Sequence, residues 1–362
     1  MMGIRKIFIT FANMKLPDIQ LNNISKYRGE LMGFAIIIVM LFHVSLSQRS
    51  PWFGLRRMGN LGVDIFFFLS GIGLWYSWSK QQLYGRFYLN RALRIYPAWL
   101  IIAGYFYLSR FTTAHPSYRL PFGGTGSATA DSWIDLVGDL LFNWDFWLYD
   151  ELTFWYVPAT MMMYLFAPLF MQLLRKDRAF QWLVALPLMW CIIMMYVVPV
   201  HKAVGHIEIF WSRIPIFMLG IVCAEAVKQR QMVSKHAWWM IIGGFALSLW
   251  ACVWLEQFRH GKFPLYTERM LYIILAITTI MIMARVFDLM ADGKLKFVNK
   301  FFSWVGGFSL ELYLVHVEFI MKPLERQHLG YWPTFWITLA ISLPIAWLIH
   351  KVCERIIERI KI

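Results

Sequence analysis

Charged residues are scarce in this sequence. Asp, Glu, Lys and Arg make up only 15% of the 362 residues, whereas soluble globular chains carry about 25%. The hydrophobic fraction is 59%, and it includes 19 Trp, 30 Phe and 21 Met. A soluble fold cannot bury so much apolar surface, and a disordered chain would not contain it. The composition therefore predicts an all-α polytopic membrane protein.

Cysteine is also scarce. The four cysteines form no Cys-x-x-Cys pair, and no His-Glu-x-x-His motif occurs. Because disulfide-stapled modules and structural zinc sites need such spacings, we expect neither a disulfide framework nor a metal site.

Ten apolar runs have about the length that crosses a hydrocarbon core of about 30 Å as a helix. We predict spans at 31–48, 61–79, 95–108, 154–174, 182–200, 209–227, 237–255, 270–288, 301–321 and 333–350. Lys and Arg are roughly twice as frequent in the loops on the side of the N-terminus as in the opposite loops. Since basic loops stay in the cytoplasm, both termini are predicted to be cytoplasmic.

This topology divides the chain into three parts. A cytoplasmic N-terminal segment, 1–30, precedes a transmembrane domain, 31–350, and a basic cytoplasmic tail, 351–362, follows it. The net charge of +14 then reflects the positive-inside distribution, and no nucleic-acid partner is implied.

The loop at 109–151, on the predicted outer side, interleaves acidic residues with Trp and Tyr. One interpretation is an interfacial amphipathic helix whose aromatic rings lie at headgroup level. The other is a lid or a sugar-stacking surface over an outward-facing site, because long loops in compact proteins are often functional. The sequence leaves both open.

Five ionisable residues from separate segments are predicted at one depth near the outer face: His43, Asp64, Glu151, Arg213 and His316. Ionisable groups inside a bilayer are costly, so each is a candidate functional residue. The alternative for any one of them is a place among hydrated headgroups with no chemical role. His43 stands out because it follows Met40-Leu41-Phe42. A carboxylate such as Asp64 is a candidate to orient its imidazole for general-base catalysis.

Arg91 and Arg94 lie near the predicted cytoplasmic end of the third span. Residues three apart share one helix face, so their two guanidinium groups are placed to hold a phosphate or pyrophosphate. The alternative is an ordinary basic flank at the end of a membrane helix.

Six segments resemble the membrane-embedded acyltransferase family 3, in the order in which that family has them. They are Met32-Gly33-Phe34-Ala35-Ile36 with Leu41-Phe42-His43, Gly62-Val63-Asp64-Ile65-Phe66-Phe67-Phe68-Leu69-Ser70-Gly71, Phe87 to Pro97, Trp155-Tyr156-Val157-Pro158 with Tyr164-Leu165-Phe166-Ala167-Pro168, Arg213-Ile214-Pro215-Ile216-Phe217-Met218-Leu219-Gly220, and Ser309-Leu310-Glu311-Leu312-Tyr313-Leu314-Val315-His316.

The resemblance implies an acyltransferase that moves acyl groups, often acetyl, from cytoplasmic acyl-CoA onto saccharides or lipid-linked glycans at the outer face of a bacterial inner membrane. It implies that His43 is the catalytic His and that Arg91 and Arg94 bind the donor. The family has an Arg eleven positions before the His, where this chain has Met32, and Arg28 is the candidate to replace it.

The mechanistic hypothesis gives His43 the role of general base or transient acyl acceptor, with Asp64 as its orienting group. Arg213 or His316 is the candidate to stabilise the oxyanion. A rival function is a polytopic transporter or flippase of the same architecture, in which His43 and Asp64 form a proton relay. A third possibility is a non-catalytic scaffold, against which the clustering of ionisable groups argues.

Overall fold

The structure, a computed structural model, describes residues 19–113, 133–149, 151–261 and 265–360. The first 18 residues of the predicted N-terminal segment, residues 114–132 and Asp150 of the predicted outer loop, and the last two residues of the tail lie outside the described residues. The described chain is almost wholly helical. Its only strands, in the part described, are the two-residue β1 (Ile19–Gln20) and β2 (Met232–Val233), which pair antiparallel.

The helices of the first half of the chain are α1 (Asn23–Lys26), α2 (Arg28–His43), α3 (Phe53–Arg57), α4 (Leu61–Lys80), α5 (Tyr84–Thr113), α6 (Trp133–Phe142), α7 (Trp144–Tyr149), α8 (Tyr156–Lys176) and α9 (Ala185–Tyr196). Those of the second half are α10 (Val198–Val204), α11 (Glu208–Trp211), α12 (Ile214–Lys228), α13 (Lys235–Arg259), α14 (Leu265–Met290), α15 (Lys296–Gly307), α16 (Ser309–Val315), α17 (Lys322–Glu325) and α18 (Tyr331–Ile360). Three short 3₁₀ segments and one π-helical segment connect some of them.

Six helical segments in the described chain are long and apolar enough to cross a membrane, and the number is eight if two bent helix pairs each count as one span. Such helices can cross lipid because each one satisfies the hydrogen bonds of its own backbone. The prediction of an all-α membrane protein is therefore confirmed. The first and third predicted spans fall on α2 and α5, which do not meet this test of length and composition. The count of ten spans and the cytoplasmic termini therefore stay predictions.

Helix α2 lies at the centre of the molecule, between α4 and α15, and two glycines allow its close approach to α15. A Cβ atom added to Gly33 would lie 1.9 Å from the carbonyl oxygen of Phe302, and one added to Gly306 would lie 2.0 Å from that of Gly29. Small residues let membrane helices approach until their backbones touch. This contact fixes α2 firmly against α15, and α2 carries Arg28 at one end and His43 at the other.

Helix α2 ends at His43, five residues before the end of the predicted span, and the backbone of Val44 is extended. The last carbonyl groups of a helix have no partner within the helix. The Arg56 guanidinium supplies one here, since its Nη1 donates to the carbonyl oxygens of Phe42 at 2.5 Å and Val44 at 3.0 Å.

The predicted span at 301–321 is sharply bent. Helices α15 and α16 meet at Phe308, and the directions of the two segments differ by 66°. A π-helical segment, His316–Met321, follows α16. π-helical turns are rare and are often found at functional sites. This irregular segment positions His316.

Candidate active site

His43 and His316 face one another. The Nε2 atom of His316 lies 3.1 Å from the Nδ1 atom of His43, and the ring centroids are 5.1 Å apart. The first ring is carried by the last residue of α2, and the second begins the π-helical segment. His316 is completely buried. The structure thus brings together two predicted site residues that are 273 positions apart.

The surroundings of His316 determine where the protons of a neutral pair lie. Its Nδ1 atom is 2.9 Å from the carbonyl oxygens of both Leu312 and Tyr313, which can only accept. His316 Nδ1 must therefore carry the proton, and a neutral ring then has a bare Nε2. That Nε2 accepts from Nδ1–H of His43. Nε2 of a neutral His43 is left without a proton and can take one from a reacting hydroxyl.

A small cavity of about 60 Å³ lies beside His43. Its walls come from the segment Leu152–Trp155 and from Tyr313, Val317 and Glu318. The carboxylate of Glu151 accepts from the backbone N–H of Thr153 at 3.0 Å and from its hydroxyl at 2.6 Å. Glu151 therefore shapes the wall of this cavity. We call this cavity beside His43 the histidine pocket.

A second cavity lies near the other end of α2, and arginines from two helices line it: Arg28 from α2, and Arg91 and Arg94 from α5. The Nη2 atom of Arg91 donates to the Ser77 hydroxyl at 3.3 Å. No carboxylate is among the described residues that line the cavity. Three cations without an acidic counterpart favour an anionic ligand, and guanidinium groups match phosphate well. We call this the arginine cavity.

Arg28, Arg91 and Arg94 are thus together, as the predicted grouping of donor-binding residues requires. Met32, the residue at the place of the family's usual Arg, lines the same cavity. Arg28 lies one helical turn before it and supplies a guanidinium group there.

Tyr313 lines both cavities. Its hydroxyl accepts from the backbone N–H of Tyr156 at 3.2 Å, and the two rings are 5.3 Å apart. The ring of His316 lies 6.2 Å from that of Tyr313. Tyr313 is therefore a partition, with the arginine cavity on one side and the two histidines on the other.

Asp64 and Arg213 form a separate, fully buried ion pair. The second guanidinium nitrogen of Arg213 donates to the Asn60 side-chain oxygen at 3.1 Å. The predicted contact between Asp64 and His43 is not found. A buried, charged guanidinium depends on a carboxylate partner more strongly than a neutral imidazole does, so Asp64 pairs with Arg213. Arg213 is likewise engaged with Asp64 instead of facing the histidine pocket, whose lining includes neither residue.

The described part of the predicted outer loop forms the two short helices α6 and α7. The side chains of Trp133, Ile134 and Val137 are exposed, while Asp139 and Asp145 are buried. The apolar outer surface agrees with a helix that lies at the membrane interface. One carboxylate oxygen from each of Asp135, Asp139 and Asp145 lies within 4.8 Å of the other two, which makes the three residues a candidate cation position.

A sequence profile described as an acyltransferase domain, that of the acyltransferase 3 family, matches residues 31–351. The match spans nearly the whole chain. The chain belongs to the acyltransferase 3 family. No curated protein and no solved structure matches it.

Sequence reasoning missed Tyr313 and Tyr156 as members of the candidate site. A signal for Tyr313 existed, because it precedes His316 by three residues in Tyr313-Leu314-Val315-His316 and so shares its helix face. Tyr156 had no such signal, since its place follows from the packing of α8 against α4 and α16. Family membership indicates an acyltransferase in a lipid bilayer, with an acyl donor and an acceptor.

Proposed function

We propose that this acyltransferase moves an acyl group, acetyl in the first instance, from cytoplasmic acyl-CoA to a hydroxyl of a saccharide or lipid-linked glycan at the opposite face. The observation that carries the proposal is the arrangement along α2. Three arginines lie around one end, two histidines lie at the other, and Tyr313 separates them. The ends are about 22 Å apart at 1.5 Å per residue, so an extended CoA arm has to run along the helix.

The donor phosphates are held in the arginine cavity by Arg28, Arg91 and Arg94. Charge-assisted hydrogen bonds from guanidinium groups to phosphate are the strong kind, and they are often bidentate. The predicted topology places this end in the cytoplasm, where acyl-CoA is found. The acyl group is carried past Tyr313 towards the histidine pocket.

Chemistry takes place at Nε2 of His43. This nitrogen takes the proton of the acceptor hydroxyl while the oxygen attacks the thioester carbonyl carbon. The tetrahedral intermediate then collapses, the carbon–sulfur bond breaks, and the CoA thiolate receives the proton from His43. The products are an ester and free CoA. In the covalent variant, Nε2 of His43 first attacks the thioester and CoA leaves as the thiolate. The acceptor hydroxyl then displaces the imidazole from the acyl group, and its proton goes to the CoA thiolate.

His316 is a positioning residue in this mechanism. It fixes the tautomer of His43 and stabilises the imidazolium that forms, which is the role predicted for Asp64. Asp64 and Arg213 belong to the framework of the fold, so neither enters the proposed chemistry. Phe154 and Trp155, which line the histidine pocket, offer aromatic faces to a saccharide acceptor.

The rival function is a transporter or flippase with a proton relay. The predicted relay runs through Asp64 beside His43, and the contact of Asp64 with Arg213 speaks against the relay in that form. Free thiol release in detergent separates the two functions, because transport needs two compartments and releases no CoA.

The test combines donor binding with thiol release. Acetyl-CoA should raise the heat stability of the purified protein, since a ligand that prefers the native state stabilises it. The double variant Arg91→Ala, Arg94→Ala should lose this shift. Arg86→Ala is the matched control, because Arg86 lies on the same helix and does not line the cavity. His43→Ala should bind acetyl-CoA but release no thiol, whereas His201→Ala should behave as wild type.

If no acyl-CoA of any chain length shifted the wild-type protein at millimolar concentration, the transporter function would take precedence. If His43→Ala retained thiol release, His43 would have no part in the mechanism.

A further inference from the structure

A large apolar groove lies beside α2, on the flank away from the arginine cavity. Its volume is about 880 Å³, and its walls come from α2, α3, α13, α14 and the start of α18. The lining is apolar except for a few groups. Along α2 it extends from Phe34 to Leu41, which is about 10 Å at 1.5 Å per residue. The volume lies within the range of about 300–1,000 Å³ for small-molecule sites.

The groove runs along the helices towards the end that carries His43. Trp52 and Trp332 lie at its rim, with 67% and 58% of their surfaces exposed. Trp side chains concentrate at the level of lipid headgroups, because one end of the ring is apolar and the other is polar. The rim therefore lies at headgroup level and the body of the groove lies at the level of lipid chains. Water is a poor occupant there, since it needs two to four polar partners.

Arg56 gives the rim a positive charge. Its Nη1 atom donates only to backbone carbonyls, and among the described residues no carboxylate forms an ion pair with it. Arg57, next in the chain, is paired with Glu256 at 2.9 Å. The carboxylate of Glu325 accepts from the backbone N–H of Ser45 at 2.7 Å instead. Arg56 is therefore a cation at headgroup level that forms no direct ion pair among the described residues, although the carboxylates of Glu256 and Glu325 lie near enough to act on it through space.

The same rim holds the backbone around His43. Arg56 donates to the carbonyls of Phe42 and Val44, the residues on either side of His43. The Tyr331 hydroxyl donates to the carbonyl of Leu41 at 2.9 Å, and both Leu41 and Tyr331 line the groove. A ligand whose head binds at Arg56 therefore lies next to the end of α2 that carries His43.

We propose that the groove binds the hydrocarbon chain of a phosphate-bearing lipid, that Arg56 binds its phosphate, and that this lipid carries the acceptor hydroxyl to His43. The acceptor role rests on the proposed function, whereas lipid binding does not. A phosphate and a long chain are both required, because the groove offers one cation and a large apolar surface.

The first test uses hexadecyl phosphate and hexadecanol, which share a chain and differ in the phosphate. Binding to the detergent-purified protein is measured by heat-stability shift and by native mass spectrometry. The phosphate should bind about ten- to a hundredfold more tightly, which is the effect of one charged hydrogen-bonding partner. Equal binding of the two compounds would overturn the phosphate site.

Two variants and their matched controls locate the lipid. Leu249→Trp fills the groove and should abolish binding of hexadecyl phosphate. Leu247→Trp introduces the same bulk on the same helix, at a side chain that is 66% exposed and outside the groove, and should change nothing. Arg56→Gln should reduce the affinity for the phosphate to that for the alcohol, and Arg56→Lys should keep most of the difference. Unaltered binding in Leu249→Trp would show that the lipid lies elsewhere.

The acceptor role is tested in membrane vesicles from the native host, supplied with radiolabelled acetyl-CoA. Leu249→Trp should lower the incorporation of label at least tenfold relative to Leu247→Trp, while both keep the heat-stability shift by acetyl-CoA. Equal incorporation would mean that an ordinary bilayer lipid occupies the groove. If acetyl-CoA shifted neither variant nor wild type, the proposed function would fail while the lipid-binding result stood.

Discussion

Replacement of Tyr313 by Ala should change which acyl groups the enzyme transfers. Tyr313 separates the arginine cavity from the histidine pocket, so the acyl chain has to pass its ring. A pocket that is too small for one extra methylene discriminates against the longer substrate by about 1–3 kcal/mol, which is about 10–200-fold in rate. Butyryl has two methylenes more than acetyl. We therefore expect Tyr313→Ala to raise the rate with butyryl-CoA relative to acetyl-CoA by at least about tenfold.

The assay is release of free CoA thiol with acetyl-, propionyl-, butyryl- and hexanoyl-CoA. Tyr313→Phe keeps the ring and should keep the chain-length profile, although the backbone N–H of Tyr156 loses its acceptor. An unsatisfied buried N–H costs about 1–3 kcal/mol of stability. Tyr164→Ala is the control, because Tyr164 lines only the arginine cavity. It should weaken donor binding without altering the chain-length ratio.

A relative gain with longer chains cannot come from a misfolded protein, so loss of stability in Tyr313→Ala does not obscure the result. An unchanged preference for acetyl over butyryl in Tyr313→Ala would contradict the role of Tyr313 as the barrier to the acyl chain. The acyl group would then reach His43 by a route that avoids Tyr313.

Three further predictions concern the framework around the site. His316→Leu should lower the rate of acyl transfer by about 10²-fold or more and leave the acetyl-CoA affinity unchanged. His316→Gln should keep part of the rate, because its carbonyl oxygen can accept from His43. Equal losses of rate in both variants would deny His316 a positioning role. Asp64→Asn should cost about 3–5 kcal/mol of stability, because it leaves Arg213 charged and buried, whereas the double variant Asp64→Leu, Arg213→Met should cost less. Thermal unfolding in detergent measures both losses. Normal stability with lost activity in Asp64→Asn would give Asp64 a part in the chemistry. Gly33→Ala should destabilise by at least about 1–3 kcal/mol in the same assay, since its Cβ would overlap the Phe302 carbonyl, and wild-type stability would contradict the close contact of α2 with α15.

Much of the fold followed from the sequence because membrane helices are specified locally. An apolar run of sufficient length has few alternatives to a helix in lipid, and each predicted span coincides with helical segments. The bend at Phe308 was not predicted, nor was the end of α2 at His43. Both depend on packing, since α15 is held against α2 through Gly33 and Gly306 while α16 turns towards α18. A hydropathy pattern does not contain that information.

For the candidate site, single residues could be predicted from the sequence, but their contacts could not. His43, His316, Arg91 and Arg94 were identifiable one by one, because an ionisable group in an apolar helix or a pair of arginines on one face is unusual by itself. The partners of these residues were not, because partners depend on how each helix is rotated.

Asp64 illustrates this limit. Its predicted depth was compatible with His43, with Arg213 and with His316, and depth is only one of three coordinates. Charge balance decides between them, since Arg213 is the group that cannot lose its charge and so has the strongest need of a carboxylate. With Asp64 committed to Arg213, His43 takes the remaining polar partner, His316, whose own ring is fixed by two backbone carbonyls. In a membrane interior with few polar groups, assigning the permanent charges first is therefore the step by which partners of the titratable groups can be inferred from sequence.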